Sequence, residues 1–378
     1  MPSLVIDARM VHASGIGVYL RQLIPFLAEH FTISLLGKEE ELQEAAMGSS
    51  GKIIPVNAPI YSLQEQVALF TEIPVCDIFW SPHYNIPLLP VKALKRVVTI
   101  HDTYHRAYQH TLPLAQKAYA AVLLNAAVLR SDKVVTVSAF SKKEIKTYTK
   151  CPEQKLHVIH NGVNPALFSA YFPENAPETL RSHLPELPKK FILYVGNVKP
   201  HKNLITLLKA YAQLPLALKA QYGIVIVGKQ EGFITPDQEV FQFLQQEPSL
   251  QNRVHFTGLV PDELLPFLYK CASLFVFPSF YEGFGLPPLE AMACGCPVLV
   301  SSAASIPEVC GDAALYFNPL DVNELAQQME KVLNDETLRQ ALIKKGVRRS
   351  SLFSWQESGN RHLALFQELL APVPMGPF

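Results

Sequence analysis

Charge is scarce in this chain of 378 residues and balanced where it occurs. Lys and Arg together number 33, Asp and Glu number 33, and charged residues make up only 17%. A net charge of zero removes the global attraction for nucleic acid that a basic protein shows. Disulfide signals are missing as well. The six cysteines (76, 151, 271, 294, 296 and 310) form no C-x-x-C pair. That argues against a disulfide frame or a structural zinc site, and for a reducing compartment. The longest apolar stretch, Ala118 to Leu129, contains Asn125 and falls far short of the ~20 residues that span a bilayer. The opening MPSLVIDARM has no basic stretch ahead of an apolar one, so no secretory leader is expected. A cytoplasmic protein is the starting expectation.

At roughly 100–200 residues per domain, this length predicts two domains. Short runs rich in β-branched and aromatic residues recur, each followed by a helix-length segment. In the first half they predict strands at Leu4–Asp7, Thr32–Leu36, Lys52–Val56, Ile78–Ser81, Arg96–His101, Lys133–Ser138 and Leu156–Asn161. In the second half they fall at Phe191–Gly196, Gly223–Gly228, Val254–Thr257, Leu274–Pro278, Val298–Ser301 and Ala314–Asn318. The runs are apolar throughout rather than alternating, as strands buried on both faces of a parallel sheet require. Pro165 to Pro188 holds prolines at 165, 173, 177, 185 and 188, predicts no strand, and reads as a linker. The expected fold is α/β: two doubly wound Rossmann-like domains, residues 1–185 and 186–354, facing across a cleft. A ligand is expected at the carboxyl ends of the strands, between them.

The sharpest motif follows the run LFVFPS: FYEGFGLPPLEAMA, residues 280–293. Pro287 and Pro288 are excluded from a helix interior but welcome at its start. Glu282 therefore belongs to a strand-to-helix loop and Glu290 to the first turn of a helix. Gly283 and Gly285 free the loop backbone for close approach and positive φ. A helix N-terminus results, a site for anionic oxygens. Carboxylates on either side would repel phosphate itself but accept hydrogen bonds from hydroxyls flanking a diphosphate. One carboxylate for a ribose and one for a sugar is the physical reading. No D-x-D triplet occurs, so a carboxylate-held divalent metal on the diphosphate is not expected.

The run SFYEGFGLPPLEAMACGCPVLVS resembles the signature of retaining glycosyltransferases of family 4, which share the glycosyltransferase-B fold. The likeness continues through SGIGVYLRQL, VTIHDT, VSAFSKKE, VIHNGVN, YVGNVKPHKNL, FTGLVPDELLPFLYKCA and IPEVCGDAALYFNP. It implies an acceptor-side domain over 1–185, with the terminal helix 355–378 packing back on it, and a donor-nucleotide domain over 186–354. It implies that Glu290 binds the donor ribose, Glu282 contacts the donor sugar near its 3-hydroxyl, and Lys202 holds the diphosphate. His101 would touch the sugar, and Gly15 and Gly17 would close over the phosphates. Gly196, Asn197, Gly283, Phe284, Gly285 and Leu286 would complete the donor site, with Glu282, His101 and Lys202 catalytic. No cofactor and no metal are implied, because the nucleoside-diphosphate sugar is a substrate. GDP-mannose is favoured as donor. The implied acceptor is a glycan or lipid-linked saccharide of cell-envelope or exopolysaccharide synthesis, and the leaving phosphate would take the acceptor proton in a front-face attack, with double displacement through Glu282 as the alternative.

Asn197 departs from the family pattern, which places an arginine directly after the strand-ending glycine. Lys199 or Arg9 could supply the second cation. His101, His105 and His110 lack the partner set of a metal site. Gly15-x-Gly17 begins a dinucleotide fingerprint, but Leu20 stands where the third glycine belongs, which counts against an NAD-dependent oxidoreductase. A nucleotide-sugar-binding homologue without turnover, or an epimerase of the same architecture, is the alternative. The segment Lys92 to Lys155 has twelve Lys and Arg against four Asp and Glu, a local excess of +8 (12 − 4). Within it Lys142, Lys146 and Lys150 recur every fourth residue. A solvated helix face is the ordinary reading; peripheral contact with an anionic membrane is the sharper one.

Overall fold

The computed structural model describes residues 1–46, 51–109, 113–163, 176–230 and 237–371. Thirteen strands are present among them, at each of the expected runs. Sheet one holds β1 (Ser3–Asp7), β2 (Thr32–Gly37), β3 (Lys52–Pro55), β4 (Cys76–Ser81), β5 (Ala93–Thr99), β6 (Lys133–Thr136) and β7 (Leu156–Val158). Sheet two holds β8 (Phe191–Val195), β9 (Gly223–Val227), β10 (Val254–Gly258), β11 (Leu274–Phe277), β12 (Val298–Ser301) and β13 (Leu315–Phe317). The orders are β3-β2-β1-β4-β5-β6-β7 and β10-β9-β8-β11-β12-β13, with parallel pairing in both sheets. Both are doubly wound. Their strand order reverses between β1 and β4 and between β8 and β11, the points where such sheets take ligands.

The strand ends explain where the sequence reading ran long. β6 stops at Thr136 because Ser138 caps the helix Ala139–Tyr148, its hydroxyl accepting the Ser141 N–H at 3.0 Å. β5 stops at Thr99, so His101 stands in the following loop. Its Nε2 meets the Pro82 carbonyl at 3.0 Å.

The chain divides into two compact units, Met1–Gly162 with Trp355–Phe378, and Val163–Ser354. The division falls at 162/163, not at 185/186. The proline-rich segment read as a linker contains the helix Ala176–His183, which packs against the helix Leu265–Cys271 of the second unit. Residues 164–175 lie outside the described residues. In the second unit β9, β11 and β12 are buried along their whole length, packed against helices such as Leu204–Gln213 and Val322–Asn334.

The helix Trp355–Leu370 belongs to the first unit, against the helix Ser14–Ala28. Gly359 permits the approach, since a Cβ there would stand 2.7 Å from the Phe26 ring. The buried Tyr19 hydroxyl meets His362 Nε2 at 2.6 Å and Thr99 at 3.1 Å, tying that helix to β5. Among the described residues no helix is long and apolar enough to cross a membrane.

Candidate functional site

In the second unit, the loops after β8 and β11 meet at the reversal of strand order. The segment after β8 runs Gly196-Asn197-Val198-Lys199 into a tight turn, Pro200–Lys202, and then the helix Leu204–Gln213. Asn203 joins turn and helix in the left-handed conformation, φ 57°, which Asn tolerates better than most residues. Its side chain is buried. Nδ2 donates to the Pro278 carbonyl (3.0 Å) and the Pro319 carbonyl (2.9 Å), and Oδ1 accepts from Thr206 at 2.7 Å. Nδ2 thus pins this turn to the segments after β11 and β13, and Oδ1 holds Thr206 in the first turn of the helix that follows.

That anchoring places Lys202 against the loop after β11. Its Nζ lies 2.7 and 2.9 Å from the two oxygens of Glu282 and 5.6 Å from the centre of the Phe277 ring. The side chains are 20% and 13% exposed, respectively. Ser305, buried, presents its hydroxyl to the carbonyls of Glu282 and Phe284, 2.9 Å each, and so fixes the Gly283 peptide between them. Gly285 ends the loop at φ 109°, a conformation that excludes a side chain; a Cβ would also stand 2.9 Å from Ile306.

The helix Leu286–Ala293 begins there. Pro287 and Pro288 occupy two of its four leading positions and carry no N–H. The amides of Gly285 and Leu286 are left as the turn's donors, together with the positive end of the dipole. Glu290 sits half-buried on the same helix. Tyr269 donates its hydroxyl to Glu290 Oε2 at 2.9 Å. Burial pushes the Glu290 carboxyl up to about 7, against a lowering from the Tyr269 bond and a further rise from Asp262.

Asn197, the departure from the family pattern, uses its side-chain oxygen to bridge two loops. Its Oδ1 accepts the Lys229 N–H at 3.1 Å, joining the loops after β8 and β9. Gly228, at φ 143°, lets these loops touch: a Cβ would collide with the Gly196 carbonyl, 2.6 Å from its carbon.

The remaining expected residues lie in the first unit. Gly15 and Gly17 stand inside the first turns of the helix Ser14–Ala28, not in a loop ahead of it. Gly17 is required sterically, because a Cβ would strike the Val11 carbonyl, whereas Gly15 faces open space. His101 packs edge-on to Tyr19 at 4.9 Å. Burial pushes its imidazole below the usual range, against opposing effects of Asp102 and the Pro82 carbonyl. Since Pro82 offers only an acceptor, Nε2 carries the hydrogen and Nδ1 is the ring's acceptor in the neutral form. His105 Nδ1 is engaged with the Tyr84 hydroxyl at 2.9 Å, and His110 lies outside the described residues. Arg9 is no spare cation. It pairs with Asp7 at 2.6 Å and Glu65 at 2.8 Å, so it is overmatched by negative charge and cannot stand in for the missing arginine.

The profile "Glycosyl transferases group 1" matches residues 175–349, and "Glycosyltransferase Family 4" matches residues 13–167. The O-antigen chain mannosyltransferase B of Escherichia coli is 33% identical over 285 residues, 74% of this chain and 71% of the relative. The chain belongs to the family 4 glycosyltransferases. Another relative of this glycosyltransferase, the serotype-specific mannosyltransferase WbdA of Escherichia coli, is 33% identical over 243 residues. That match covers 64% of the chain but only 29% of WbdA. The glycosyltransferase-B fold is shared with sucrose-phosphate synthase from Thermosynechococcus elongatus, at 23% identity and a TM-score of 0.78, covering 98% of this chain and 99% of that one. It is shared equally with WaaG, described as a glycosyltransferase of lipopolysaccharide biosynthesis, at 15% identity and a TM-score of 0.76, covering 96% and 99%.

Four residues that shape this glycosyltransferase's site carried little signal in the sequence. Asn203, Tyr269 and Ser305 act through hydrogen bonds to positions 21 to 116 residues away. Ser279 follows β11 with a buried hydroxyl that has no partner among the described residues. Only Asn203 was open to recognition, because an Asn directly before a helix start suits a left-handed turn.

Proposed function

We propose that this glycosyltransferase moves a hexose from a nucleoside-diphosphate sugar to a glycan or lipid-linked saccharide in cell-envelope or exopolysaccharide synthesis. Retention of configuration, no metal requirement, and GDP-mannose as donor are parts of the same proposal. The Lys202–Glu282 pair is the observation that carries it. A diphosphate arriving at the Gly285–Leu286 amides draws Lys202 away from Glu282, and the carboxylate so released accepts hydroxyls of the sugar. Charge that develops on the departing phosphate is then met by an ammonium group and a helix N-terminus, preorganised donors each worth roughly 10²–10³-fold. Glu290, held by Tyr269, takes the ribose hydroxyls. His101, neutral, offers Nδ1 as an acceptor to a sugar hydroxyl.

Mannose is supported by relatives named as O-antigen mannosyltransferases, and retention by the family. Incubation with GDP-mannose, UDP-glucose and other nucleotide sugars, with and without EDTA, tests donor and metal together. GDP release from GDP-mannose unaffected by EDTA, with an α-linked product by NMR, is the expected result. Binding without release from any donor favours the reading without turnover, which the fixed Asn197 supports.

Peripheral contact with an anionic membrane, through the basic face of the helix Ala139–Tyr148, is a further part of the proposal. Lys142 and Lys146 share the single carboxylate of Glu153, at 2.6 and 2.7 Å, so half of their joint positive charge is offset. Equal sedimentation with neutral and anionic vesicles removes that part of the proposal.

A further inference from the structure

We propose that the first unit binds the neutral, polyhydroxylated end of a glycan acceptor through a buried polar cluster at the carboxyl ends of β1 and β4, centred on Arg9. The inference rests on the transferase reading and adds to it the site and the charge class of the acceptor.

β1 and β4 run in register as far as Ile6 and Trp80, so Asp7 and Ser81 follow side by side where the strand order reverses. Arg9 stands just beyond, its side chain 5% exposed. One edge of the guanidinium is fully occupied: Nε and Nη2 donate to the two Asp7 oxygens at 2.7 and 2.6 Å, and Nη2 also reaches Glu65 at 2.8 Å. Nη1 on the other edge is buried and has no partner among the described residues, and neither has the Ser81 hydroxyl. An unmet buried donor costs about as much as a hydrogen bond gains, more for a charged group. Two such atoms at one switch point call for a ligand oxygen.

The surrounding groups are held rigidly enough to select it. Glu65, fully buried, accepts from Asn85 Nδ2 at 2.6 Å and from the Tyr61 N–H at 2.7 Å. Tyr119 donates its hydroxyl to Asn85 Oδ1 at 3.0 Å. Tyr61 is held at φ 68°, a left-handed conformation a bulky side chain resists. Such strain persists only where the surroundings impose it, and it collects at ligand clamps. Its half-exposed ring lies edge-on to His83 and Tyr119, both at 6.1 Å. A wall of rings beside buried hydrogen-bonding groups suits a sugar, which has an apolar face and a hydroxylated rim.

Charge decides the class. One guanidinium faces two carboxylates, and His83 beside them adds no positive charge, since burial pushes its imidazole down to about 3. A net negative cluster repels phosphate and accepts neutral hydroxyls, which can donate to carboxylates and accept from Nη1.

Saturation-transfer NMR on the full chain, with methyl glycosides of mannose, glucose, galactose and N-acetylglucosamine as probes, tests this. Inorganic phosphate serves as competitor, and nucleoside-diphosphate binding is measured in the same samples. We expect at least one glycoside to bind, phosphate not to displace it, and Arg9→Lys and Tyr61→Gly to weaken it roughly tenfold or more. Nucleoside-diphosphate affinity stays unchanged in both variants. Tyr61→Gly removes the ring while suiting the left-handed backbone, so it remains informative where Arg9→Lys unfolds. Binding of no glycoside, equal binding by wild type and variants, or displacement by phosphate overturns the proposal. Failure of every nucleoside diphosphate to bind counts instead against the transferase reading.

Discussion

Lys202 and Glu282, eighty residues apart in sequence, form a two-pronged ion pair, with Nζ 2.7 and 2.9 Å from the carboxylate oxygens. The pair connects the loop after β8 to the loop after β11 and leaves each charge mostly shielded from water. Removal of one partner strands the other, at a cost that approaches roughly 3–5 kcal/mol for a fully buried pair and is smaller here because both are partly exposed. Lys202→Ala should lower kcat by roughly 10²–10³-fold. It should also lower the denaturation midpoint, and Lys202→Ala combined with Glu282→Gln should recover much of the stability but none of the turnover. Urea unfolding alongside steady-state kinetics checks both halves.

Glu290 supplies a pH dependence. Its carboxyl titrates near 7 in the folded protein instead of the ordinary 4.5, so the ionised form that best accepts ribose hydroxyls fades as pH falls through neutrality. The donor KM should rise below about pH 7. Tyr269→Phe removes the donor that favours the ionised form, and should move that limb to higher pH, whereas Glu290→Gln should abolish it. The folding linkage has the opposite sense. A raised folded value means that the native state holds the proton more tightly, so this group's contribution is greatest below about 4.5 and is lost as pH climbs through 7. Glu290→Gln should therefore gain stability relative to wild type at alkaline pH, read from melting temperatures across the range.

Asn203 tests the scaffold separately from the chemistry. Asn203→Asp keeps size and backbone tolerance but cannot donate to the Pro278 and Pro319 carbonyls. With two buried acceptors unmet at about 1–3 kcal/mol each, chemical denaturation should show a loss of roughly 2–6 kcal/mol. The donor KM should rise because the turn carrying Lys202 loosens.

Gly228→Ala should act at a distance from any ligand. The added methyl group meets the Gly196 carbonyl and its peptide, displacing the loop that leads to Lys202. Donor affinity should fall with little change in circular dichroism. An unchanged nucleotide titration would show that the loop after β8 is not part of the donor site.

The central strands were legible because strands buried on both faces are written as continuous apolar runs, as in FILYV, GIVIV and LFVF. Proline misled. The excess between 165 and 188 looked like a linker, yet from Ala176 it belongs to a helix packed within the second unit. At the site, Gly285, Pro287 and Pro288 announced the helix start through backbone constraints that a sequence states directly. The Lys202–Glu282 pair, the Tyr269 bond to Glu290 and the Ser305 clamp arise from long-range packing, which no local pattern encodes. Arg9 was misjudged for the same reason: its partner Glu65 comes from a helix fifty-six residues further along the chain.

Calorimetric titration of nucleoside diphosphates into wild type, Lys202→Ala and Glu290→Ala tests the central claim most directly. One diphosphate should bind wild type, with Lys202→Ala and Glu290→Ala each weakening it by roughly tenfold or more, the loss of about 1.4 kcal/mol. Wild-type affinity in both variants would contradict a donor site built on Lys202, Glu282 and Glu290.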